Sequence, residues 1–205
     1  MNKFDEMILV VKRDVLFNDE SNAFHGFLSD QEPKFKAIEK TLDTYETKRR
    51  GDMEEDPTFK QLVSYCLLVN ERNEVLVYER LSGGGETRLH GNMSIGVGGH
   101  MNDFSNAGKF EDQMLENTYR ELEEEVGLHQ DDVVGMQTLG LINDDTNEVG
   151  QVHIGVVFKV DVKSEHISAV ESDTLRIDWV DPKAFGDLDN YETWSALIID
   201  ALYKS

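Results

Sequence analysis

Apolar positions along this chain come in short runs whose period changes from segment to segment. Residues 7–17 read as two short strands around the polar Lys12-Arg13-Asp14, which predicts a hairpin. Phe35, Ile38, Leu42 and Tyr45 then recur at three- and four-residue spacing. With Pro33 near the start and Gly51 after the end, this predicts an amphipathic helix over residues 34–49. Residues 50–58 are polar and read as a connection. Strands follow over residues 61–69 and 74–79, a short one over 93–97, and further ones over 133–142, 151–162 and 175–180. A helix is predicted over about residues 111–126. Asp181-Pro182 opens a short helix, and a last helix begins at Asn190. Its apolar stripe is Trp194, Leu197, Ile198, Ala201 and Leu202. Strands and helices mix without a regular alternation, so the fold class is α/β, of the α+β type, with a mixed sheet covered by a few helices.

The 205 residues fit one domain with an extension. A net charge of −21 argues against binding a nucleic-acid backbone and against docking on anionic membrane. No signal-peptide pattern opens the chain, and its apolar runs are far shorter than a membrane span, so a cytoplasmic setting is expected. The lone Cys66 sits in the apolar run Tyr65–Val69 and reads as a small buried hydrophobe. The six histidines show no ligand spacing, and His100 reads as structural.

Two glycine patterns fail on inspection. The stretch from Gly96 would need glycine at Met101 to bind a dinucleotide. Gly108-Lys109 would need glycine at Asp103, and serine or threonine at Phe110, to form a phosphate loop.

The acidic helix carries more. Glu121, Glu124 and Glu125 are spaced i, i+3 and i+4, within about 100° of one another on the helix cylinder. Their mutual repulsion, and their place near the negative end of the helix dipole, are both relieved by a cation. Clustered carboxylates suit Mg²⁺ or Mn²⁺. A run of glutamates on a chain this acidic equally suits a solvated face.

Arg120-Glu121-Leu122, any residue, Glu124-Glu125, any residue, Gly127-Leu128 resembles the second half of the Nudix box, and every fixed position matches. Gly98-Gly99 resembles the glycine pair that opens the box. Twenty residues separate Gly99 from Arg120, seven more than the family pattern, so residues 100–110 read as an insertion. The family's first glutamate falls on Asp112, a shorter acid. The resemblance covers roughly residues 61–203 and predicts a hydrolase domain of residues 61–205, leaving residues 1–60 as an N-terminal extension, a strand hairpin and helix packed on the core.

The resemblance implies a Nudix-like α/β/α sandwich with a central mixed sheet. It implies metal-dependent hydrolysis of a phosphoanhydride in a nucleoside diphosphate linked to another group. Glu121, Glu124, Glu125 and the Gly98 carbonyl would hold Mg²⁺ or Mn²⁺. Glu121, Arg120 and Glu124 would be catalytic, with Arg120 orienting the carboxylates. Arg80, Arg88, Glu171 and Asp112 are candidates for substrate contact, and Asp144, Asp145 and Glu148 stand behind Glu171 as loop acids. The partner is a small nucleotide-type molecule; the insertion and the first 60 residues shape its pocket or a homodimer contact. The alternative is a catalytically silent nucleotide-binding or regulatory module on the same fold. An isopentenyl-diphosphate-type isomerase would need a cysteine near the glycine pair, and Cys66 sits elsewhere.

Overall fold

The computed structural model describes residues 2–80, 92–104, 109–169 and 175–204. In chain order the elements are β1 (Met7–Lys12), α1 (Arg13–Leu16), β2 (Gly26–Ser29), α2 (Pro33–Glu39), β3 (Glu46–Arg49), α3 (Arg50–Met53), β4 (Phe59–Val69), β5 (Val75–Arg80), β6 (Met93–Ser94), α4 (Phe110–Val126), β7 (Gly135–Asn143), α5 (Glu148–Gln151), β8 (His153–Asp161), β9 (Leu175–Val180) and α6 (Thr193–Tyr203). This is an α/β fold with a central mixed sheet, as the mixture of patterns predicts. Among the described residues, no helix is long and apolar enough to cross a membrane.

Two compact units divide the chain: residues 1–64, 99–118 and 139–157, and residues 65–98, 119–138 and 158–205. In the first unit, β1 lies between β3 and β4, antiparallel to both, with Val10 opposite Glu46 on one side and Gln61 on the other. β2 pairs antiparallel with β7, Phe27 opposite Ile142. In the second unit, β5 pairs with β4, β6 and β9, and all six of its residues are in register with β9. Ten of the eleven β4 residues are buried, as a central strand covered on both faces requires.

Three local expectations are corrected. The hairpin expected over residues 7–17 is one strand followed by the short helix α1, whose last residue Leu16 and the following Phe17 are wholly buried. The helix expected over residues 34–49 ends at Glu39, passes through a 3₁₀ turn at Leu42–Thr44, and continues as β3. Phe35, Ile38 and Leu42 are buried as the helical spacing implies. Glu46–Arg49 are polar and supply β1 with backbone partners instead, a tertiary demand that periodicity does not carry. On α6 the buried face is Ser195, Ile198 and Ile199, whereas Ala201 is exposed.

Ser195 is drawn inward by a polar cluster in the second unit. Its hydroxyl and that of Tyr65 lie 2.7 Å apart, its backbone N–H donates to Glu192 at 3.0 Å, and the Tyr65 hydroxyl also donates to Glu192. This anchors the Tyr65 ring against Gly96. A Cβ at Gly96 would come within 2.0–2.4 Å of three Tyr65 ring atoms. Gly96→Ala is therefore expected to cost about 2 kcal/mol, read as a lower midpoint in urea denaturation with unchanged slope. A midpoint equal to that of the unsubstituted protein would show that the ring can retreat.

Candidate functional site

The helix α4 is built in two halves. Toward its N-terminus, beyond the buried Phe110, the buried positions are polar: Gln113, Asn117 and Thr118. Buried amides need partners, and these find them in the segment expected to be an insertion. Asn117 accepts from the Asn102 N–H at 2.7 Å and donates to the Asn102 carbonyl at 2.8 Å. Gln113 accepts from the Phe104 N–H at 2.8 Å and donates to Asp103 at 2.7 Å. The described part of the insertion is thus laced to the helix side chain by side chain. Residues 105–108 lie outside the described set.

Toward the C-terminus, Leu122 and Val126 are buried and fix the rotation of the helix. The expected stripe partners Leu115 and Tyr119 are half-buried. Gly127 stops the helix with φ 66°, a conformation cheap only for glycine. Its N–H bonds the Glu123 carbonyl at 3.1 Å, and the Leu128 N–H reaches the Leu122 carbonyl at 3.2 Å. The glycine and apolar positions of the matched pattern therefore set the end and the roll of the helix.

That roll leaves Glu121 with 8 % exposure, Glu125 half-buried and Glu124 exposed. Burial pushes the Glu121 carboxyl up to about 7; Arg120 opposes the shift, and the charges of Glu125 and Glu124 add to it. Arg120 bridges two of the three acids, at 2.8 Å to Glu121 and 3.1 Å to Glu124. A buried carboxyl whose neighbours raise it further is a set of hard oxygen donors short of positive charge. Carboxylate oxygens are the donors a divalent ion takes, although the three carboxylates do not gather within 4.8 Å of one another. Gly98, in the same unit, takes φ 152° beside the bridge that joins Val97 to Cys66. Burial, with the charge of Glu121, pushes the Cys66 thiol well up, so it stays a buried, unreactive group.

The remaining sequence candidates fare differently. Asp112 is exposed in the first turn of α4, nine positions before Glu121. Arg88 and Glu171 lie outside the described residues, as does the side chain of Arg80. Asp145 is occupied: it takes Arg13 at 2.8 Å and Lys60 at 2.6 Å. Burial alone would raise its carboxyl, but these hydrogen bonds hold it well below the usual range. Asp144 is wholly buried and caps its own turn, accepting from Thr146 at 2.6 Å and Asn147 at 2.7 Å.

The structure also brings together residues that the sequence left apart. Among the described residues, the His, Cys, Asp and Glu ligand atoms that gather in a group of three, all within 4.8 Å of one another, are those of Glu54, His100 and His153. These residues are 46 and 53 positions apart, and Glu54 falls in the segment read as a connection. No sequence spacing signals such a group. The burial of Glu121 did have a signal, since Gln113, Asn117 and Glu121 follow one another at four-residue spacing.

An α/β fold with a central mixed sheet, a glycine turn and a helix ending in this glutamate set define the Nudix-type pyrophosphohydrolases. The chain belongs to that family: the NUDIX domain model matches residues 60–202. Protein YmaB of Bacillus subtilis (strain 168) is 42 % identical over 206 residues, covering 98 % of this chain and all of that protein. The crystal structure of Tm1382, a candidate Nudix hydrolase, superposes with a TM-score of 0.78 at 28 % identity, covering 97 % of this chain and 99 % of that one. DR0079 from Deinococcus radiodurans shares the fold alone, at a TM-score of 0.50 and 13 % identity over 70 % of this chain and 83 % of its own. Nudix hydrolases generally use divalent metals and act on small nucleotide-type substrates.

Proposed function

We propose that the chain hydrolyses a phosphoanhydride in a nucleoside diphosphate linked to a second group. The ion is Mg²⁺ or Mn²⁺, held by Glu121, Glu124, Glu125 and the Gly98 carbonyl. The observation that carries this reading is the buried Glu121 carboxyl, pushed up to about 7 beside Glu124 and Glu125 and tied to Arg120 at 2.8 Å. Bound there, the ion supplies charge neutralisation of phosphate oxygens and acidification of a water.

Every other role belongs to this chain's residues. Glu121 is assigned the role of accepting the proton of the attacking water. Water oxygen bonds to phosphorus as the anhydride P–O bond breaks, and the leaving phosphate carries away the bond's electron pair. Arg120, spanning Glu121 and Glu124, holds both carboxylates in place through its fork of donors. Asp112, Arg80, Arg88 and Glu171 are assigned to substrate contact, and residues 1–60 to an extension on a hydrolase domain of residues 61–205 that shapes the pocket or a homodimer contact. A setting in the cytoplasm fits this substrate class.

The test is a panel of nucleotide sugars, dinucleotides, coenzymes and nucleoside triphosphates, incubated with Mg²⁺ or Mn²⁺ and scored for the two products. Cleavage between two phosphates, lost on chelation, is the expected result. Calorimetric binding of a panel member without turnover would overturn the proposal in favour of a silent nucleotide-binding module.

A further inference from the structure

Three distant segments of the first unit converge on one point. Glu54 follows α3, His100 follows the glycine pair, and His153 begins β8. The two imidazoles meet Nε2 to Nε2 at 2.9 Å, with ring centroids 5.0 Å apart and planes at 71°. The other ring nitrogen of His153, Nδ1, lies 2.7 Å from the Val149 carbonyl. A carbonyl only accepts, so Nδ1 carries the proton and the Nε2 of the neutral ring presents a lone pair toward His100. This is the arrangement that orients a metal-binding histidine, the far nitrogen being fixed by a backbone carbonyl.

Gln61 adds to the same side. It is wholly buried, and its amide nitrogen donates to the Met53 carbonyl at 3.2 Å. Its oxygen is thereby turned toward His100 Nε2, at 2.9 Å. The single Nε2 of His100 thus faces two acceptors at 2.9 Å, with the Glu54 carboxylate nearby as a third. Several lone pairs converge here, and a cation is the partner that suits them all.

Two imidazole nitrogens and a carboxylate oxygen are the donor set of borderline ions rather than of Mg²⁺. Around a tetrahedral ion with bonds of about 2.0–2.1 Å, two nitrogens stand about 3.3 Å apart, so the observed pair need open by only a few tenths of an ångström. The neighbouring cations are already engaged. Arg50 lies 3.2 Å from Glu54, and Lys60 is bound to Asp145 at 2.6 Å while it donates to the His153 carbonyl at 3.2 Å.

We propose that Glu54, His100 and His153 form a site for a divalent transition ion of the Zn²⁺ class. It shares no residue with the acids of α4. Its effect is structural: the ion joins the segment after α3, the turn after the glycine pair and the first residue of β8, and so stabilises the first unit.

The test uses the full chain, stripped with a chelator and titrated calorimetrically with Zn²⁺ in excess Mg²⁺, which occupies hard oxygen sites. One Zn²⁺ per chain is expected, with a rise in melting temperature. X-ray absorption should show two imidazole scatterers at about 2.0–2.1 Å. Glu54→Gln, half-buried and sterically neutral, should weaken Zn²⁺ binding by about tenfold or more, and His153→Gln should abolish it. Glu124→Gln with Glu125→Gln should leave it unchanged. The proposal falls if Zn²⁺ does not bind, if its absorption spectrum shows oxygen ligands only, or if Glu54→Gln binds it as tightly as the unsubstituted chain. Because the spectrum is read on the unsubstituted protein, a His153 variant that fails to fold leaves the answer intact.

Discussion

Glutamine at both Glu124 and Glu125 is expected to lower kcat roughly 10³-fold, the scale of losing positioned charge and proton transfer at a reacting centre. The fold should survive. Glu124 is exposed and, among the described residues, pairs along the helix with Arg120, an interaction worth a few tenths of a kcal/mol. Glu125 is half-buried and glutamine keeps its volume. Loss of turnover with an unchanged melting temperature in chelator would therefore separate chemistry from stability. Activity within a factor of about ten of the unsubstituted chain would show that these carboxylates are a solvated face, and the proposed reaction would need another set of ligands.

The second large effect concerns stability, and its sign opposes that of activity. In the metal-free protein, burial holds the Glu121 carboxyl at about 7, against an ordinary value of 4.5. Between those values the folded chain keeps a proton that the unfolded chain has released. The contribution of this group is thus fully present below about 4.5, and it is lost as pH rises through about 7. The gap corresponds to roughly 3 kcal/mol, taken as an upper figure because Arg120 and solvent relax around the charge. Glu121→Gln carries no charge to bury. In chelator at pH near 8 it should be more stable than the unsubstituted chain by up to about 3 kcal/mol, and near pH 4.5 the two should converge. Urea denaturation at both pH values measures this. A glutamine variant less stable at the higher pH would mean that the Arg120 pair outweighs burial. The same variant should be inactive, so this residue weakens the fold for the sake of the site.

Legibility in the sequence followed the range of the forces involved. The ends of α4, its terminal glycine and the buried Leu122 and Val126 follow from helix period and capping, which act within a few residues. The strand β9 agrees residue for residue with the strand expected over 175–180, and β4 to within two residues. The apolar spacing over residues 34–49 runs through Tyr45 and reads as one helix, but the helix ends at Glu39 because β3 exists to pair with β1. The polar stripe of Gln113 and Asn117 was readable as spacing. Its meaning was not, because the partners at Asn102, Asp103 and Phe104 are supplied by a loop.

The sequence by itself determined the family, through seven specified positions in nine residues, and with it three acids grouped on one helical face. It did so because a helix converts spacing into geometry without outside help. Only the tertiary structure decided which of those acids is buried, since the roll of α4 against its surroundings sets the burial that lifts Glu121. Tertiary structure also decided that Glu54, His100 and His153 meet at all, because strand pairing and loop closure, rather than sequence distance, set their separation.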